Sequence, residues 1–386
     1  MKRPGERLAR LTTSALKLVA CAGLLAALAG CADLGYYLQS AQGHLAVMQA
    51  AKPVDNWLAD PQAPAALKRQ LELAQRIRRF AATDLALPDN ASYTRYADIQ
   101  RSAVVWNVVA APVLSLTLKT WCFPVAGCVG YRGYFEEAQA RALAAELKAQ
   151  GLDASVYGVP AYSTLGWMNW GGGDPLLNTF IRYPEAELAR LIFHELAHQV
   201  AYAKNDTMFN ESFATAVEVL GGNRWLELHG SEAVRQQFNM NSERRRQFRA
   251  LTQATRRVLL GIYGQEGAGT ASVSEKIALK NAALEDFRNR YATLKATWQA
   301  AAAVPLNLSA YDTWVANANN ASFGAQAAYD ELVPQFEALF RQGALQNPRH
   351  SPWPPFYDVV KRLAQLPEGE RRRALAQQPH SNPTGQ

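Results

Sequence analysis

Apolar residues recur every three or four positions along most of the chain, and a two-residue alternation is confined to short segments. Residues 65–82 show the helical spacing clearly, with charged residues between the apolar positions. Another helical stretch ends at Gly151, and the alternating residues 154–159 that follow predict a strand. The pattern therefore indicates a mainly helical protein that contains some strands.

The remaining segments complete this picture. Residues 34–59 are helical in pattern, whereas residues 93–118 are rich in aromatic and β-branched residues and fit either a buried helix or a strand. Residues 178–183, "NTFIRY", predict a short strand, and Pro184 begins the next helix. Beyond residue 230 the pattern predicts helices over residues 231–263, 274–302, 320–343 and 355–377.

These elements predict an α+β fold, predominantly helical, with a small mixed sheet packed on the helix that carries the candidate site described below. The chain has 386 residues, 49% of them hydrophobic, which suffices for a large core in one extended or two closely packed domains. We expect a signal segment over residues 1–30, an α+β part over 31–230, a helical part over 231–375 that closes the cleft, and a disordered tail over 376–386.

The first 30 residues have the composition of a secretory signal: a basic start, an apolar run and small residues at the end. The uninterrupted apolar run from Leu18 to Gly30 is short for a membrane-spanning helix, which needs roughly 20 residues. Leu28, Ala29, Gly30 and Cys31 resemble a bacterial lipobox. That resemblance implies cleavage before Cys31 and lipidation of this cysteine; a cleaved, soluble protein is the alternative.

A lipid on Cys31 would anchor the mature chain to a membrane without spanning it. Ala32 follows the cysteine, where an aspartate would suggest retention in the inner membrane. The sequence therefore predicts a protein of the bacterial outer membrane that faces the periplasm.

Charge and cysteine content add two expectations. The formal charge is +7, but the signal segment accounts for +4 of it, and the remaining +3 is too small to argue for a nucleic-acid partner. Cys122 and Cys128 flank a segment with Pro124 and Gly127 and could close a small disulfide loop in an oxidising periplasm. A pair of buried free thiols is the alternative.

Two histidines and a glutamate interrupt an apolar helix at "RLIFHELAHQ", residues 190–199. Apolar residues surround this helix on almost every side, which is typical of a buried helix. His194, Glu195 and His198 share one side of it. Their burial without partners would be costly, and a bound cation removes that cost because imidazoles at i and i+4 can reach one Zn²⁺. Hydrogen-bonded core histidines are the alternative.

A catalytic zinc site needs a third protein ligand, and "NDTMFNESFATAVEVLGG" supplies candidates. Asp206, Thr207 or Asn210 can cap a new helix. On that helix Glu211 and Glu218 face the same way. We assign Glu211 as the third zinc ligand and Glu218 as the partner of a histidine's other ring nitrogen, and the exchange of these two roles stays open.

Glu195 has a different predicted role, because it is not expected to bind the metal. Its carboxylate is suited to take a proton from the attacking water and to pass that proton to the leaving amine. The H-E-x-x-H pattern alone has a false-positive risk, but the glutamates of the second helix are independent of it. Together the residues predict Zn²⁺ as cofactor and hydrolysis as the reaction.

"HELAHQ" followed by "NESFATAVEVLG" resembles the zinc site of gluzincin metallopeptidases, especially the aminopeptidase N group. This resemblance implies a zincin-type active-site helix with ligands His194, His198 and Glu211, the base Glu195 and a supporting Glu218. Over the mature chain, "GYYLQSAQGHL", "GCVGYRGYF" and "AYSTLGW" resemble the predicted bacterial aminopeptidases found as zinc-dependent lipoproteins. The implied activity is the removal of N-terminal residues.

Two features of the aminopeptidase N group have no clear counterpart. Its Gly-Ala-Met-Glu-Asn segment, which holds the substrate's amino group, is echoed only by "GWMN" at residues 166–169, which lacks the glutamate. Its oxyanion-stabilising tyrosine has three downstream candidates, Tyr291, Tyr311 and Tyr329, and the sequence favours none of them.

The expected function is that of a periplasmic zinc metallopeptidase, an aminopeptidase with a peptide substrate. The first alternative is a zinc endopeptidase in envelope quality control, and the second is a non-catalytic zinc-binding lipoprotein scaffold. Glu195 argues against the scaffold, because a structural zinc site would have a fourth ligand and no base. Side-chain preference and oligomeric state do not follow from the sequence.

Overall fold

A computed structural model describes residues 34–123, 127–161, 163–166, 171–264, 271–346 and 349–377. The expected signal segment, Cys31, most of the predicted tail and part of "GWMN" lie outside the described residues. The chain divides into two compact units, residues 1–50 and 51–386. Each is described by itself, and the predicted division near residue 230 stays a prediction.

In the first unit, residues 34–50 form helix α1. The pattern over residues 34–59 does not form one continuous helix, because Lys52–Pro53 is extended and a separate short helix follows it. Pro53 explains the break, since the residue before a proline is driven towards extended conformations. Among the described helices, none combines the length and apolar character needed to cross a membrane.

The described part of the second unit contains twelve helices, most of them in the C-terminal half. They span Val54–Ala59 (α2), Ala65–Thr83 (α3), Glu137–Ala149 (α4), Glu185–Ala197 (α5), Thr207–His229 (α6), Glu232–Tyr263 (α7), Val273–Ala301 (α8), Ser309–Ala316 (α9), Asn320–Asp330 (α10), Val333–Gln346 (α11), Trp353–Gln365 (α12) and Glu368–Ala376 (α13).

The strands of the described part are short and lie before α5 in the chain. They span Lys52–Pro53 (β1), Arg95–Ala97 (β2), Val105–Pro112 (β3), Trp121–Phe123 (β4), Gly127–Val129 (β5), Arg132–Tyr134 (β6), Leu152–Val159 (β7) and Leu176–Leu177 (β8).

Three small sheets result from these strands. The first is mixed, because β2 pairs antiparallel with β1 and parallel with β8. In the second, β3 lies between β6 and β7 and is antiparallel to both. The third is the β4–β5 hairpin. The predicted α+β fold, predominantly helical with small sheets, is confirmed.

Several element predictions are confirmed closely. Helix α3 covers the predicted residues 65–82, and the long helices α7 and α8 match the predictions over 231–263 and 274–302. After α4 ends, Gly151 has φ +82°, a left-handed conformation that favours glycine, and β7 follows directly. The ambiguous segment 93–118 contains β2 and β3.

Two predicted C-terminal helices are each divided in two. The prediction over residues 320–343 is wrong between α10 and α11, because Pro334, near the start of α11, lacks the N–H that a continuous helix would need there. The prediction over 355–377 is wrong at Leu366, which is extended with ψ 152° and is followed by Pro367. Both breaks follow from the geometry of proline.

The predicted strand over residues 178–183 is also wrong. Turns occupy this segment, and the N–H groups of Phe180 and Ile181 both donate to the carbonyl of Leu177. Phe180 and Ile181 are adjacent and both are buried, whereas a strand with one exposed face would alternate. Only Leu176–Leu177 pairs as a strand here, and the chain then turns into α5.

Two glycines in the middle of α6 allow close packing against α5. A Cβ atom at Gly221 would lie 2.7 Å from Leu85 Cδ1 and 3.0 Å from Phe193 Cδ2, and one at Gly222 would lie 2.7 Å from Arg190 Cγ. Helix α6 continues through both positions, so the glycines serve helix packing and not helix termination.

A buried ion pair fixes the start of α6 to the C-terminal helices. Asp206 is the N-cap of α6, as the sequence allowed, and its side chain accepts from Phe209 N–H at 3.0 Å. Its other carboxylate oxygen lies 2.5 Å from Arg371 Nη1, and the two side chains are only 2% and 5% exposed. Arg372 adds a third contact, 2.6 Å from Asp206 Oδ1.

Replacing Asp206 with asparagine should therefore lower the free energy of unfolding by about 3–5 kcal/mol, since it leaves a buried guanidinium without its anion. Urea unfolding followed by circular dichroism measures this change. Asp286→Asn, at an exposed α8 pair with Arg290, is the control and should shift stability by less than about 0.5 kcal/mol. A loss below about 1 kcal/mol in Asp206→Asn would show that the buried pair contributes little.

Candidate metal centre

Helix α5 carries the first three candidate residues on a buried surface. Its apolar residues except the half-buried Leu191 are buried, and so are Arg190, His194 and Glu195, with the last two only 9% and 8% exposed. The predicted buried helix is confirmed. His198 is the C-cap, with φ −59° and ψ −21°, so it keeps a helical conformation and its position one turn after His194.

Helix α6 brings Glu211 against both histidines. Glu211 Oε2 lies 3.5 Å from His194 Nε2 and 3.6 Å from His198 Nε2. Ligand atoms from all three residues lie within 4.8 Å of one another. Four ligands at a tetrahedral zinc, each about 2.0–2.1 Å from it, would lie roughly 3.3 Å apart. The carboxylate-to-imidazole spacing is therefore close to that of ligands to one such ion.

Glu218 contacts the ring nitrogen of His194 that does not face Glu211. Glu218 Oε2 is 3.0 Å from His194 Nδ1, and its second oxygen forms an ion pair with Arg190 Nη2. The structure thus brings Glu211 to the Nε2 atoms and Glu218 to the remaining nitrogen of His194. This arrangement orients the imidazole so that Nε2 faces Glu211.

The carboxylates make this cluster a strong attractor of positive charge. Burial alone would lower the pKa of His194, but hydrogen bonds to Glu211 and Glu218 raise it to about 10. Burial would raise the pKa of Glu211, yet the charge of His198 and the hydrogen bonds of both histidines lower it to about 2. For Glu218, burial is outweighed mainly by Arg190, and its pKa is also about 2. A divalent cation would replace the proton that the His194 imidazole otherwise binds.

The donor atoms themselves fit zinc. Two imidazole nitrogens and one carboxylate oxygen form the three-residue set typical of catalytic zinc sites, and they leave a coordination position open. Glu195 is not part of this set in the described structure. Burial raises the pKa of its carboxyl group, although the charges of His194 and His198 oppose this effect. A carboxylate with such a raised pKa beside the cation site is suited to accept a proton.

One of the three candidate tyrosines lies at the site. The ring of Tyr329 stacks against His194, with centroids 6.4 Å apart and an interplanar angle of 21°. Tyr291 instead donates to Asp312 at 2.7 Å, and Tyr311 packs its ring 4.9 Å from that of Phe248. Only Tyr329 of the three therefore contacts a predicted metal ligand in the described structure.

Tyr131 and Tyr157 are among further tyrosines near the site that the sequence analysis did not identify. Burial raises the pKa of Tyr131 well above its usual value, and that of Tyr157 to about 12, and in both cases the charge of Glu211 adds to the increase. Tyr131 lies between β5 and β6, and Tyr157 lies in β7. Tyr131 lies in the "GCVGYRGYF" stretch, but nothing in that stretch or around Tyr157 assigns either residue to the site, so only the fold could reveal this position.

A polar network holds the segment that follows the second histidine. Gln199, directly after His198, donates from Nε2 to Ser92 Oγ at 3.2 Å and accepts from Asn90 Nδ2 at 2.7 Å. The backbone N–H of Asp174 also donates to Ser92 Oγ, at 3.2 Å. Two segments distant in the chain thus converge beside the end of α5.

A disulfide-bonded hairpin packs on the loop between α5 and α6. Cys122 and Cys128 are joined by a disulfide across β4 and β5. The N–H of Cys128 donates to Asn205 Oδ1 at 2.7 Å, and Asn205 is in this loop with φ +66°. The hairpin therefore supports the connection that sets α6 against α5.

Arg190 should control metal affinity through Glu218, although Arg190 is not itself a predicted metal ligand. Arg190→Gln removes the cation that holds Glu218, so His194 loses a fixed orientation, and zinc affinity should fall by about 10–100-fold. Competition with a chromophoric chelator measures the affinity. Arg190→Lys should restore most of it. Arg224→Gln, at an exposed α6 pair with Glu227, should leave it unchanged. An affinity within twofold of the native value in Arg190→Gln would exclude this role.

The fold and the site together define an α+β protein with a cluster of two imidazoles and a carboxylate that could hold a metal ion, next to a further buried carboxylate. A family model described as "Putative aminopeptidase" matches residues 35–375, and the chain belongs to this family. Membership supports a peptidase-like function. Comparisons with curated proteins and with solved structures gave no match.

Proposed function

We propose that this chain is a zinc-dependent metallopeptidase that removes N-terminal residues from peptides in the periplasm. The observation that carries the proposal is the convergence of ligand atoms from His194, His198 and Glu211 within 4.8 Å, on helices that also place Glu195 beside them. The peptidase-like character of the family supports the same reaction class.

Each residue then has a distinct task. His194, His198 and Glu211 would hold Zn²⁺, which when bound polarises the peptide carbonyl and activates a water molecule. Glu218 accepts a hydrogen bond from His194 Nδ1 and keeps the other ring nitrogen directed at the site. Glu195 takes the proton of the attacking water and delivers it to the leaving amine. Burial raises the pKa of Glu195 and so makes it a better base.

Of the three candidate tyrosines, Tyr329 is the best placed to stabilise the oxygen that becomes negative during peptide cleavage. Its ring lies against His194, and burial, with a further contribution from Glu211, raises its pKa well above the usual value. The phenol therefore keeps its proton at neutral pH and can donate a hydrogen bond to the developing oxyanion.

The proposed location depends on the N-terminal segment. The secretory composition of residues 1–30 and the lipobox-like residues that end at Cys31 support export and a lipid anchor in the outer membrane, facing the periplasm. The disulfide between Cys122 and Cys128 fits an oxidising compartment. Beyond its peptide substrate and the membrane, the proposal includes no nucleic-acid partner.

A digest of a mixed peptide library tests this function. The zinc-loaded protein should shorten peptides one residue at a time from the amino end, and a chelator should stop the reaction until zinc is restored; mass spectrometry follows the products. Internal cleavage, with equal rates on free and acetylated peptides, would instead show an endopeptidase of envelope quality control. Zinc binding without any cleavage would favour the non-catalytic lipoprotein scaffold and refute the proposal.

A further inference from the structure

A cavity of about 750 Å³ lies between the second sheet and the C-terminal helices. Strand β7 and helix α4 form one side, and helices α7, α9 and α10 form the other. Its volume falls within the range of about 300–1,000 Å³ that is typical of sites for small ligands. None of the residues predicted from the sequence as metal ligand or base lines it.

The cavity nevertheless shares a wall residue with the metal centre. Tyr329, which lines it, stacks on His194 with ring centroids 6.4 Å apart. Tyr157 lines it as well, and the charge of Glu211 contributes to the raised pKa of its hydroxyl group. Both tyrosines are only partly buried. Because Tyr329 borders both the cavity and the metal centre, the two are adjacent.

Further aromatic rings form the wall away from the metal centre. Phe248 of α7 packs its ring 4.9 Å from Tyr311 and 5.4 Å from Trp314 of α9, in both cases edge to face. Trp314 is held from its other side by Phe287 and Phe323, at 5.8 and 5.4 Å. The aromatic wall is thus fixed by the core behind it, while Tyr311 and Trp314 remain partly exposed. Such preformed surfaces favour large apolar groups.

The charged groups that line the inner part of the cavity already have partners. Arg249 Nε lies 2.9 Å from Asp330 Oδ1, and Arg245 Nη1 lies 2.8 Å from Glu187 Oε1. A charged ligand group would have to compete with these ion pairs. Arg141 and Lys148 of α4 also line the cavity but are exposed, so the preference for an uncharged, apolar occupant applies to the part next to α7 and α10.

We infer that this cavity is the specificity pocket of the proposed peptidase and binds a large aromatic or long aliphatic side chain next to the cleaved peptide bond. The inference rests on the proposed function for the identity of the ligand as a peptide. It adds a substrate class: peptides with phenylalanine, tyrosine, tryptophan or leucine at a position that flanks the cleaved bond. These peptides should be preferred over peptides with alanine, aspartate or lysine at that position.

The test compares three tetrapeptides: Phe-Ala-Ala-Ala, Ala-Phe-Ala-Ala and tetra-alanine. We expect at least one of the phenylalanine peptides to exceed tetra-alanine about tenfold in kcat/KM with the zinc-loaded protein. The same peptide should bind about tenfold more tightly to the Glu195→Gln protein, measured by calorimetry without turnover.

Two exposed positions at the cavity allow it to be narrowed without disturbing the core. Ala145 of α4 and Thr313 of α9 both line it, so Ala145→Trp and Thr313→Trp should reduce the preference for phenylalanine to within about twofold, with zinc content and tetra-alanine kinetics unchanged. Ala142→Trp is the matched control, because Ala142 is exposed on the same helix and does not line the cavity.

The outcomes separate this inference from the proposed function. Hydrolysis of all three peptides at equal rates would overturn the pocket and leave the peptidase proposal standing. Selective binding of a phenylalanine peptide without hydrolysis would support the pocket and refute the peptidase proposal. The pocket is also refuted if no peptide binds, if both cavity variants keep the preference, or if Ala142→Trp removes it equally.

Discussion

Replacing Glu195 with glutamine should lower kcat by about 10²–10⁴-fold while the protein keeps its zinc. Glutamine has nearly the same shape, but it cannot accept the proton of the attacking water. The side chain is buried, and no hydrogen bond or ion pair to it is found within the described residues, so the substitution leaves its structural surroundings intact. Initial rates on one short peptide, together with zinc content by mass spectrometry, measure both parts of this prediction.

A glutamate far from the site provides the control for this loss. Glu227 is exposed on α6 and forms a surface ion pair with Arg224, so Glu227→Gln should retain native kcat. Turnover by Glu195→Gln within tenfold of the native rate would exclude Glu195 as the base. If Glu195→Gln loses both its zinc and its turnover, this carboxylate instead contributes to metal binding.

Glu211→Gln should have the largest effect on metal binding. It removes the anionic oxygen that lies 3.5 and 3.6 Å from the two imidazole nitrogens, and an amide oxygen is a much weaker ligand for zinc. Zinc affinity should fall by more than about 100-fold, beyond the 10–100-fold expected when a residue behind a ligand is lost. Peptide hydrolysis should fall with it at limiting zinc.

The corresponding change at Glu218 separates the roles of the two glutamates. Glu218→Gln should weaken zinc binding only about 10–100-fold, since Glu218 contacts His194 Nδ1 and not the Nε2 atoms. Both affinities come from the same chelator competition assay. A greater loss in Glu218→Gln than in Glu211→Gln would mean that the two roles are exchanged.

The two helices at the centre of the site could be predicted because the sequence patterns that indicate them are local. The spacing of His194 and His198 is fixed by the helix that carries them, and the polar residues stood out against an apolar background. Asp206, a good N-cap, indicated where the second helix begins. The helical spacing of the residues after it placed Glu211 and Glu218 on one face. That Glu211 meets both imidazoles depends on how α6 packs on α5, which the sequence reasoning had to assume.

Other parts of the site depend on contacts between distant segments. Tyr131 and Tyr157 come from the strand region, and Ser92 reaches Gln199 across more than 100 positions of the chain. No periodicity or motif in one segment records such a contact, because it is created only when the segments pack. The aromatic cavity also depends on such contacts, since its lining residues come from six separate elements.

The errors of the secondary-structure prediction have local causes. Helical periodicity continues across Pro334 and Pro367, so the apolar pattern alone joined helices that the backbone of proline separates. The β-like composition of residues 178–183 reflected burial in a turn before α5 and not strand pairing. In both cases the hydrophobic pattern identified which residues are buried more reliably than the backbone conformation that buries them.

Anomalous diffraction from crystals of the zinc-loaded protein, recorded on both sides of the zinc absorption edge, tests the central claim most directly. We expect one strong anomalous peak per chain, about 2.0–2.1 Å from His194 Nε2, His198 Nε2 and an oxygen of Glu211. A peak that any of these three residues fails to contact, or no peak at this position, would contradict the account.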